Sequence, residues 1–332
     1  MQYLITTVPG LEDFVVEELA ERLPVAKARA QYLTGRVVAE VDAEPPALFG
    51  LKTAERFGIF LGDGSAGALR EVVEVVRAAL PAAERYLSPS TTVGVRCERV
   101  GEHAFTSQDV EREAGRLFKE RGYVISLVEP DVEVNVDVVG SYVAVWVTVA
   151  RRSLKDRPWR AYEHYAGLNP IIAQAMVRLA GPRPGEVLCD LTCGGGTIVA
   201  EAAEAAPQAR YICVDIELRH VRGALANTRR FPQVDVLWFD STKLHRLLRP
   251  ICDKYVFNPP YGFRMPGRIG RLYGLLGAAM RRLARGSCAK YVAITPRHKT
   301  FKSQVGGEVL LERTIYQGGL YSHIIVGEVC RG

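Results

Sequence analysis

Between residues 170 and 295 the apolar positions change period at regular intervals. Short apolar runs at Glu186–Leu191, Arg210–Asp215, Val234–Phe239, Lys254–Phe257 and Lys290–Thr295 alternate with longer stretches at Ile171–Ala180, Thr197–Ala206, Arg219–Arg229, Thr242–Leu248 and Arg268–Arg285. The short runs read as strands buried on both faces, and the longer ones, with apolar residues three and four apart, as helices. Two more strands, Val309–Tyr316 and His323–Cys330, follow with no full helix between them. The pattern predicts an α/β domain, a doubly wound parallel sheet whose last pair is antiparallel.

The first half is patterned differently. A strand (Gln2–Thr7) precedes an amphipathic helix in which Leu11, Phe14, Val15, Leu19 and Leu23 share one face. Strands near Ala28–Leu33 and Gly35–Val41, a short helix after Pro45-Pro46 and a strand at Arg56–Leu61 complete a ferredoxin-like order over residues 1–62. The glycine-rich run Gly62–Gly67 suggests a linker. A second α+β unit spans 63–150, with helices at Ala68–Ala79 and Ser107–Gly122, the latter capped by Ser107, a strand at Thr91–Cys97, and a hairpin turning at Gly140-Ser141. Residues 151–168 are basic and aromatic (RRSLKDRPWRAYEHY) and read as a connector to the domain at 169–332.

Composition narrows the class. No apolar run approaches the ~18 residues of a membrane span, and the charged amphipathic start is unlike a signal peptide, so a cytoplasmic protein is expected. The seven cysteines never stand in C-x-x-C spacing. They are expected to be buried, reduced thiols, and no metal is expected.

The net charge of +6 is unevenly distributed. Residues 1–168 hold 20 Lys and Arg against 25 Asp and Glu, whereas 169–332 hold 23 against 12. No acid lies between Asp253 and Glu308, a span that includes Arg264, Arg268, Arg271, Arg281 and Arg282. A basic run of this kind favours a polyanionic partner.

The chemistry concentrates at strand ends. The first strand of the α/β sheet runs into DLTCGGGT, where Gly194, Gly195 and Gly196 let backbone approach a ligand closely as strand turns to helix. The run lacks a Walker lysine and is not G-x-G-x-x-G, which argues against ATP hydrolysis and ordinary NAD binding. The second strand ends in VDIE, placing Asp215 where an acid accepts ribose hydroxyls. The third ends in FDS, placing Asp240 within reach of an adenine amine, although each acid alone also suits a helix cap. Together they indicate a nucleoside-bearing cofactor in the crevice beyond the sheet. The fourth strand ends in Asn258-Pro259-Pro260-Tyr261. Two prolines remove two backbone donors and stiffen the loop, holding an amide and an aromatic ring still at the same edge.

This series, DxxCGGGT, VDIE, FDS and NPPY, resembles the motifs of S-adenosylmethionine-dependent methyltransferases acting on exocyclic base amines. Upstream, VRCERVGEHAFTSQDVEREAGRLF and DVEVNVDVVGSYVAVWV resemble a THUMP domain with its ferredoxin-like partner. SLKDRPWR and LNPIIAQAMV resemble the connecting segment of THUMP-containing tRNA guanine-N2-methyltransferases. The resemblance covers essentially the whole chain. It implies a Rossmann-like methyltransferase domain with S-adenosyl-L-methionine held by Asp190, Thr192, Cys193, Gly194, Gly195, Gly196, Thr197, Asp215, Ile216, Asp240, Ser241 and Asn258.

It also implies a catalytic clamp. Asn258 and the Pro259 carbonyl would accept the two hydrogens of a base amine, Pro260 would stiffen the loop, and Tyr261 would stack on a base flipped from its stem. Family members acting at position 10 of tRNA typically carry Asp where this chain has Asn258, whereas Asn occurs in those acting at position 6 and in some ribosomal RNA relatives. N2-methylation of guanosine 6 in the acceptor stem is therefore expected, with another tRNA position or ribosomal RNA as the alternative. A catalytically inactive THUMP RNA-binding protein is the rival from another class. THUMP would grip the 3′ CCA end of a tRNA bound by a monomer. The expected RNA contacts are Arg96, Arg99, Arg112, Lys119, Arg151, Arg152, Lys155, Arg157, Arg160, Arg264 and Arg268.

Overall fold

The structure, a computed structural model, describes residues 1–164, 167–262 and 268–331, so Arg264 lies outside the described residues. The chain divides into two compact units: Met1–Thr7 with Val15–Leu154, and Val8–Phe14 with Lys155–Gly332.

The first unit is built on one eight-stranded sheet. Its elements are β1 (Gln2–Thr6), α1 (Glu12–Arg22, whose first turn counts with the second unit), β2 (Val25–Gln31), β3 (Arg36–Val41) and β4 (Arg56–Ser65). They continue with α2 (Leu69–Ala83), β5 (Thr92–Val100), α3 (Ser107–Glu120), β6 (Val124–Ile125), β7 (Val132–Val139) and β8 (Tyr142–Thr148). The strand order is β2-β3-β1-β4-β8-β7-β5-β6. The helix expected after Pro45-Pro46 is a 3-10 turn, Pro45–Gly50.

The run beginning at Gly62 is not a linker through Ser65. It extends β4, with Asp63 opposite Ala144 and Gly64 opposite Val143 on β8. Close packing explains the glycine better than flexibility does, since a Cβ on Gly64 would come within 2.7 Å of Val75 Cγ2 on α2. The cap of α3 is Thr106 rather than Ser107: its Oγ1 accepts from the Asp109 amide at 3.2 Å while Asp109 accepts from the Thr106 amide at 2.9 Å, a reciprocal capping box.

The second unit contains α4 (Pro170–Ala180), β9 (Val187–Asp190), α5 (Thr197–Ala205), β10 (Arg210–Asp215), α6 (Leu218–Thr228), β11 (Val234–Trp238) and β12 (Lys254–Phe257). It closes with α7 (Ile269–Leu283), β13 (Cys288–Thr295), α8 (His298–Val305), β14 (Glu308–Gln317) and β15 (Leu320–Cys330). The sheet order is β11-β10-β9-β12-β13-β15-β14, with β15 antiparallel to β13 and β14. Order reverses between β9 and β12, and in such sheets the crevice beyond the strands' carboxyl ends at that point is where ligands bind. Cores on the two faces of the sheet hold it rigid, one centred on α4 and α5, the other on α7 and α8.

Two helical expectations change. Residues expected as a helix at 242–248 form a 3-10 turn at Ser241–Arg246, capped by Asp240. The eight-residue α8 was not foreseen; only Phe301 and Val305 of it are buried, so its apolar signal is thin.

Residues 155–168, expected as connector, count with the second unit. Trp159 is buried in the α4–α5 core, and Arg157 is buried against Glu201 of α5, Nε to Oε1 2.7 Å. The cysteines also depart from expectation. Disulfides join Cys189–Cys252, Cys193–Cys213 and Cys288–Cys330, leaving Cys97 as the free thiol. Sheet topology supplies the reason: Cys288 and Cys330, for example, are direct partners across β13 and β15. Among the described residues no helix is long and apolar enough to cross a membrane.

Candidate active site

A cavity of about 630 Å³ opens over the carboxyl ends of β9, β10 and β12. Its walls include Asp190, Thr192, Cys193, Gly194, Gly195, Thr197, Asp215, Ile216, Asp240, Ser241, Asn258, Pro259, Pro260, Tyr261 and Arg268. Thus the expected cofactor and clamp residues meet in one place, with one exception. Gly196 does not line the cavity; it turns the chain into α5 with φ +75°, and a Cβ there would lie 3.2 Å from the Ala224 Cβ on α6.

The glycine loop is held by the neighbouring strand. The Cys193 amide donates to the Val214 carbonyl at 3.0 Å, and the Gly194 amide to Asp215 Oδ2 at 2.8 Å. Asn227 of α6 fixes the loop from behind. Its Nδ2 donates to the Gly195 carbonyl and the Tyr162 carbonyl, each at 2.8 Å, while its Oδ1 accepts from the Tyr162 amide at 2.7 Å. Nothing in the sequence pattern marks Asn227 for this part.

The three strand-end acids differ. Asp190 is buried; its Oδ1 accepts from the Thr192 amide at 3.0 Å, while Oδ2 has no partner. Burial, with the negative Asp215 adding to it, pushes its carboxyl well above the usual range despite the Thr192 hydrogen bond. Asp215 also accepts from the Glu217 amide at 2.8 Å and stands 3.5 Å from His220 Nδ1. Asp240 caps the turn after β11, accepting from Thr242 and pairing with Lys243 at 2.9 Å. Desolvation raises its carboxyl, but those hydrogen bonds together bring it below the ordinary value.

The proline loop leaves β12, whose Tyr255, Val256 and Phe257 are fully buried. The Asn258 carbonyl accepts from Thr192 Oγ1 at 3.1 Å and the Pro260 carbonyl from the Tyr273 hydroxyl at 2.9 Å, so both ends of the loop are pinned. Asn258 Oδ1 is buried without a partner. Burial pushes the Tyr261 hydroxyl up to about 12, with Tyr273 adding and an Asn258 hydrogen bond opposing. Tyr261 is therefore neutral at physiological pH.

Three buried polar atoms around this cavity, Asp190 Oδ2, His220 Nε2 and Asn258 Oδ1, are thus unsatisfied. Groups of this kind are paired in native proteins, so the cavity fits a polar ligand bearing both donors and acceptors. Residues 157–323 match the RMKL-like methyltransferase domain family (UPF0020), and residues 70–148 match the THUMP domain. A tRNA (guanine(6)-N2)-methyltransferase of Thermus thermophilus is 31% identical over 97% of this chain and 98% of its own length. A protein of the same name from Archaeoglobus fulgidus is 30% identical over 98% and 92%. The crystal structure of TrmN from Thermus thermophilus superposes with a TM-score of 0.82 at 29% identity, covering 98% of this chain and 99% of that one.

The chain belongs to the THUMP-domain tRNA guanine-N2-methyltransferase family.

The cofactor of this methyltransferase is S-adenosylmethionine, which fits the unsatisfied cavity. The residues expected to contact RNA are less uniform than the sequence suggested. Arg157 is buried against Glu201 and serves the fold there, and Arg160 is largely buried beside Glu163, Nη1 to Oε1 3.2 Å. Arg112 pairs with Asp109 at 2.7 Å, and Arg99 binds the Gly101 carbonyl at 3.1 Å. Arg96 donates to the Leu127 carbonyl at 2.7 Å and Arg151 to the Pro130 carbonyl at 3.0 Å, so both lie along the segment between β6 and β7. Lys119 and Arg152 are exposed, and Lys155 is half-buried.

The cavity also holds residues that sequence reasoning missed. His164 and His220 meet edge to face at 4.5 Å in its wall, and Arg271, Leu272 and Leu275 extend it along α7. Ile216, 62% exposed, is steadied by Trp238, whose Nε1 donates to its carbonyl at 2.9 Å.

Proposed function

We propose that this enzyme methylates the exocyclic N2 amine of guanosine 6 in the acceptor stem of tRNA, holding the flipped base in the Asn258–Tyr261 clamp. The observation that carries the reading is Asn258 Oδ1: a buried acceptor with no donor, in the same cavity as the buried acid Asp190. An unsatisfied buried acceptor costs about 1–3 kcal/mol. A base amine, which has two hydrogens to donate, relieves that cost.

Bound S-adenosylmethionine supplies an electrophilic methyl group on sulfonium. The protein's contribution is placement. Asp190 Oδ2 suits the cation of the cofactor's amino-acid end, and Asp215, Ile216 and Asp240 suit its nucleoside. Asn258 Oδ1 and the Pro259 carbonyl accept the two amine hydrogens and direct the nitrogen lone pair toward the methyl group. Thr192 and Tyr273 keep the loop from yielding. Tyr261 supplies a neutral ring for the base to stack on. Methylation makes the nitrogen cationic and readily deprotonated, so no strong base is needed beforehand.

Asn at 258, together with full-length relatives named for guanine 6, supports that position over others. Arg268, at the start of α7 in the cavity wall, suits the displaced backbone. Arg96, Arg99, Arg112, Lys119, Arg151, Arg152 and Lys155 are proposed contacts for the 3′ CCA end and flanking phosphates, on a monomeric cytoplasmic enzyme.

The test is methylation of an unmodified tRNA transcript followed by nucleoside mass spectrometry. N2-methylguanosine should form on the parent transcript and not on one carrying adenosine at position 6. Product from the altered transcript refutes the position. Asn258→Ala should lower kcat about 10²–10³-fold, as loss of one preorganised hydrogen-bond partner does, while the cofactor still binds. Undiminished turnover refutes the clamp.

A further inference from the structure

We infer that His298, Glu312 and His323 form a site for a divalent transition-metal ion, with zinc the best match to the donors. The site lies outside the methylation cavity and rests on its own geometry. His298 opens α8, Glu312 lies on β14 and His323 on β15. In the hairpin, Glu312 is opposite Ile325 and Thr314 opposite His323, so the acid and the histidine are diagonal neighbours on one face. The chain after β13 returns in α8 to lay His298 over them.

The two imidazoles stack in parallel, 3.7 Å between centroids and 4° between planes. Both turn Nδ1 toward the same oxygen, Glu312 Oε1: His323 at 3.1 Å, and His298 in a closer contact. The three ligand atoms all lie within 4.8 Å of one another. An ion seated among them requires both rings to turn out of this stacked arrangement, so that the two Nδ1 lone pairs converge on it. Each ring then carries its proton on Nε2.

Two imidazole nitrogens and one carboxylate oxygen select a borderline transition ion over magnesium or calcium, which prefer all-oxygen shells. Lys302 Nζ, 2.5 Å from Glu312 Oε2, occupies the other carboxylate oxygen and orients the group, leaving Oε1 for the ion. The side chains of His298, Glu312 and His323 are 23%, 26% and 19% exposed, so solvent reaches the fourth position.

The bound ion would tie α8 to the final hairpin beside the clamp's support. His323 is the cross-strand partner of Thr295, whose Oγ1 lies 3.2 Å from the Tyr273 hydroxyl that holds the Pro260 carbonyl. The role is therefore structural bracing.

The full-length chain, stripped with chelator and dialysed, should bind one equivalent of Zn²⁺ by calorimetry. It should develop the visible spectrum of a tetrahedral site with Co²⁺, and Zn²⁺ should raise its Tm. His298→Gln and His323→Gln should each weaken Zn²⁺ about 100-fold or more, given that losing even an outer partner of a ligand costs 10–100-fold, and should remove the gain in Tm. Cys97→Ser should leave binding intact. Because His323 sits in a strand, where a substitution also tests folding, His298→Gln on the partly exposed first turn of α8 is decisive alone. Absence of stoichiometric binding, or affinity unchanged in His298→Gln, overturns the site.

Discussion

Asp190→Asn tests the cofactor pocket most directly, because the wild-type side chain is held in an unfavourable state. Asp190 is buried, one oxygen has no partner, and burial raises its carboxyl well above the ordinary range. Without ligand, burial shifts Asp190 toward its neutral form relative to an exposed carboxylate; a ligand ammonium favours the carboxylate. Binding therefore expels a proton wherever the free enzyme is protonated there. Below the folded pKa, affinity should fall toward tenfold per pH unit, equivalent to about 1.36 kcal/mol. The experiment uses S-adenosylhomocysteine below about pH 7.5, where an α-amine is still largely charged. Calorimetry in two buffers of different ionisation enthalpy counts the proton. In Asp190→Asn the slope attributable to this group should vanish. Affinity near neutrality should fall about 10- to 150-fold, the equivalent of losing a charged hydrogen bond of roughly 1.5–3 kcal/mol. Stability supplies a second readout with a fixed sign. A folded pKa above the unfolded one gives stability that is complete below the unfolded pKa and is lost as pH rises through the folded one. The Tm of ligand-free wild type minus that of Asp190→Asn should thus shrink with rising pH. An identical pH slope in both proteins, or a wild-type affinity flat across the range, refutes the assignment.

Two further outcomes separate folding roles from functional ones. Arg157→Ala should destabilise the protein by about 3–5 kcal/mol in chemical denaturation, because it removes one partner of a buried ion pair; a stable variant with weakened tRNA binding would return Arg157 to the RNA surface. Unfolding without reductant in the presence of an alkylating agent should label Cys97 alone, and labelling of three or more cysteines would refute the disulfides. Reduction should cost about 2–4 kcal/mol for each loop closed, over separations of 63, 20 and 42 residues.

How far the sequence could be read depended on whether a property is local. The strands that end in Asp190, Asp215 and Asn258 announce themselves as apolar runs broken by special residues, and topology then requires their ends to meet. That is why the strand-end part of the cavity lining was legible, and the histidines and the α7 wall were not. Properties requiring a partner far along the chain were not. Gly64 looks the same whether it loosens a linker or lets Val75 lie against β4, and only the packing decides. Arg157 and Arg152 occur in one basic run, yet one faces Glu201 in a core and the other faces solvent, because Trp159 anchors its neighbour inward. The cysteines carry no spacing signal since strand pairing alone brings Cys288 to Cys330. The same holds for His298, Glu312 and His323, which follow no ligand spacing and converge only when α8 folds back over the last hairpin. Chemistry written at strand ends in an α/β sheet is visible in one dimension because the fold aligns those ends. Chemistry assembled across a hairpin and a returning helix is visible only in three, and there the chain has room for a metal site that its motifs do not mention.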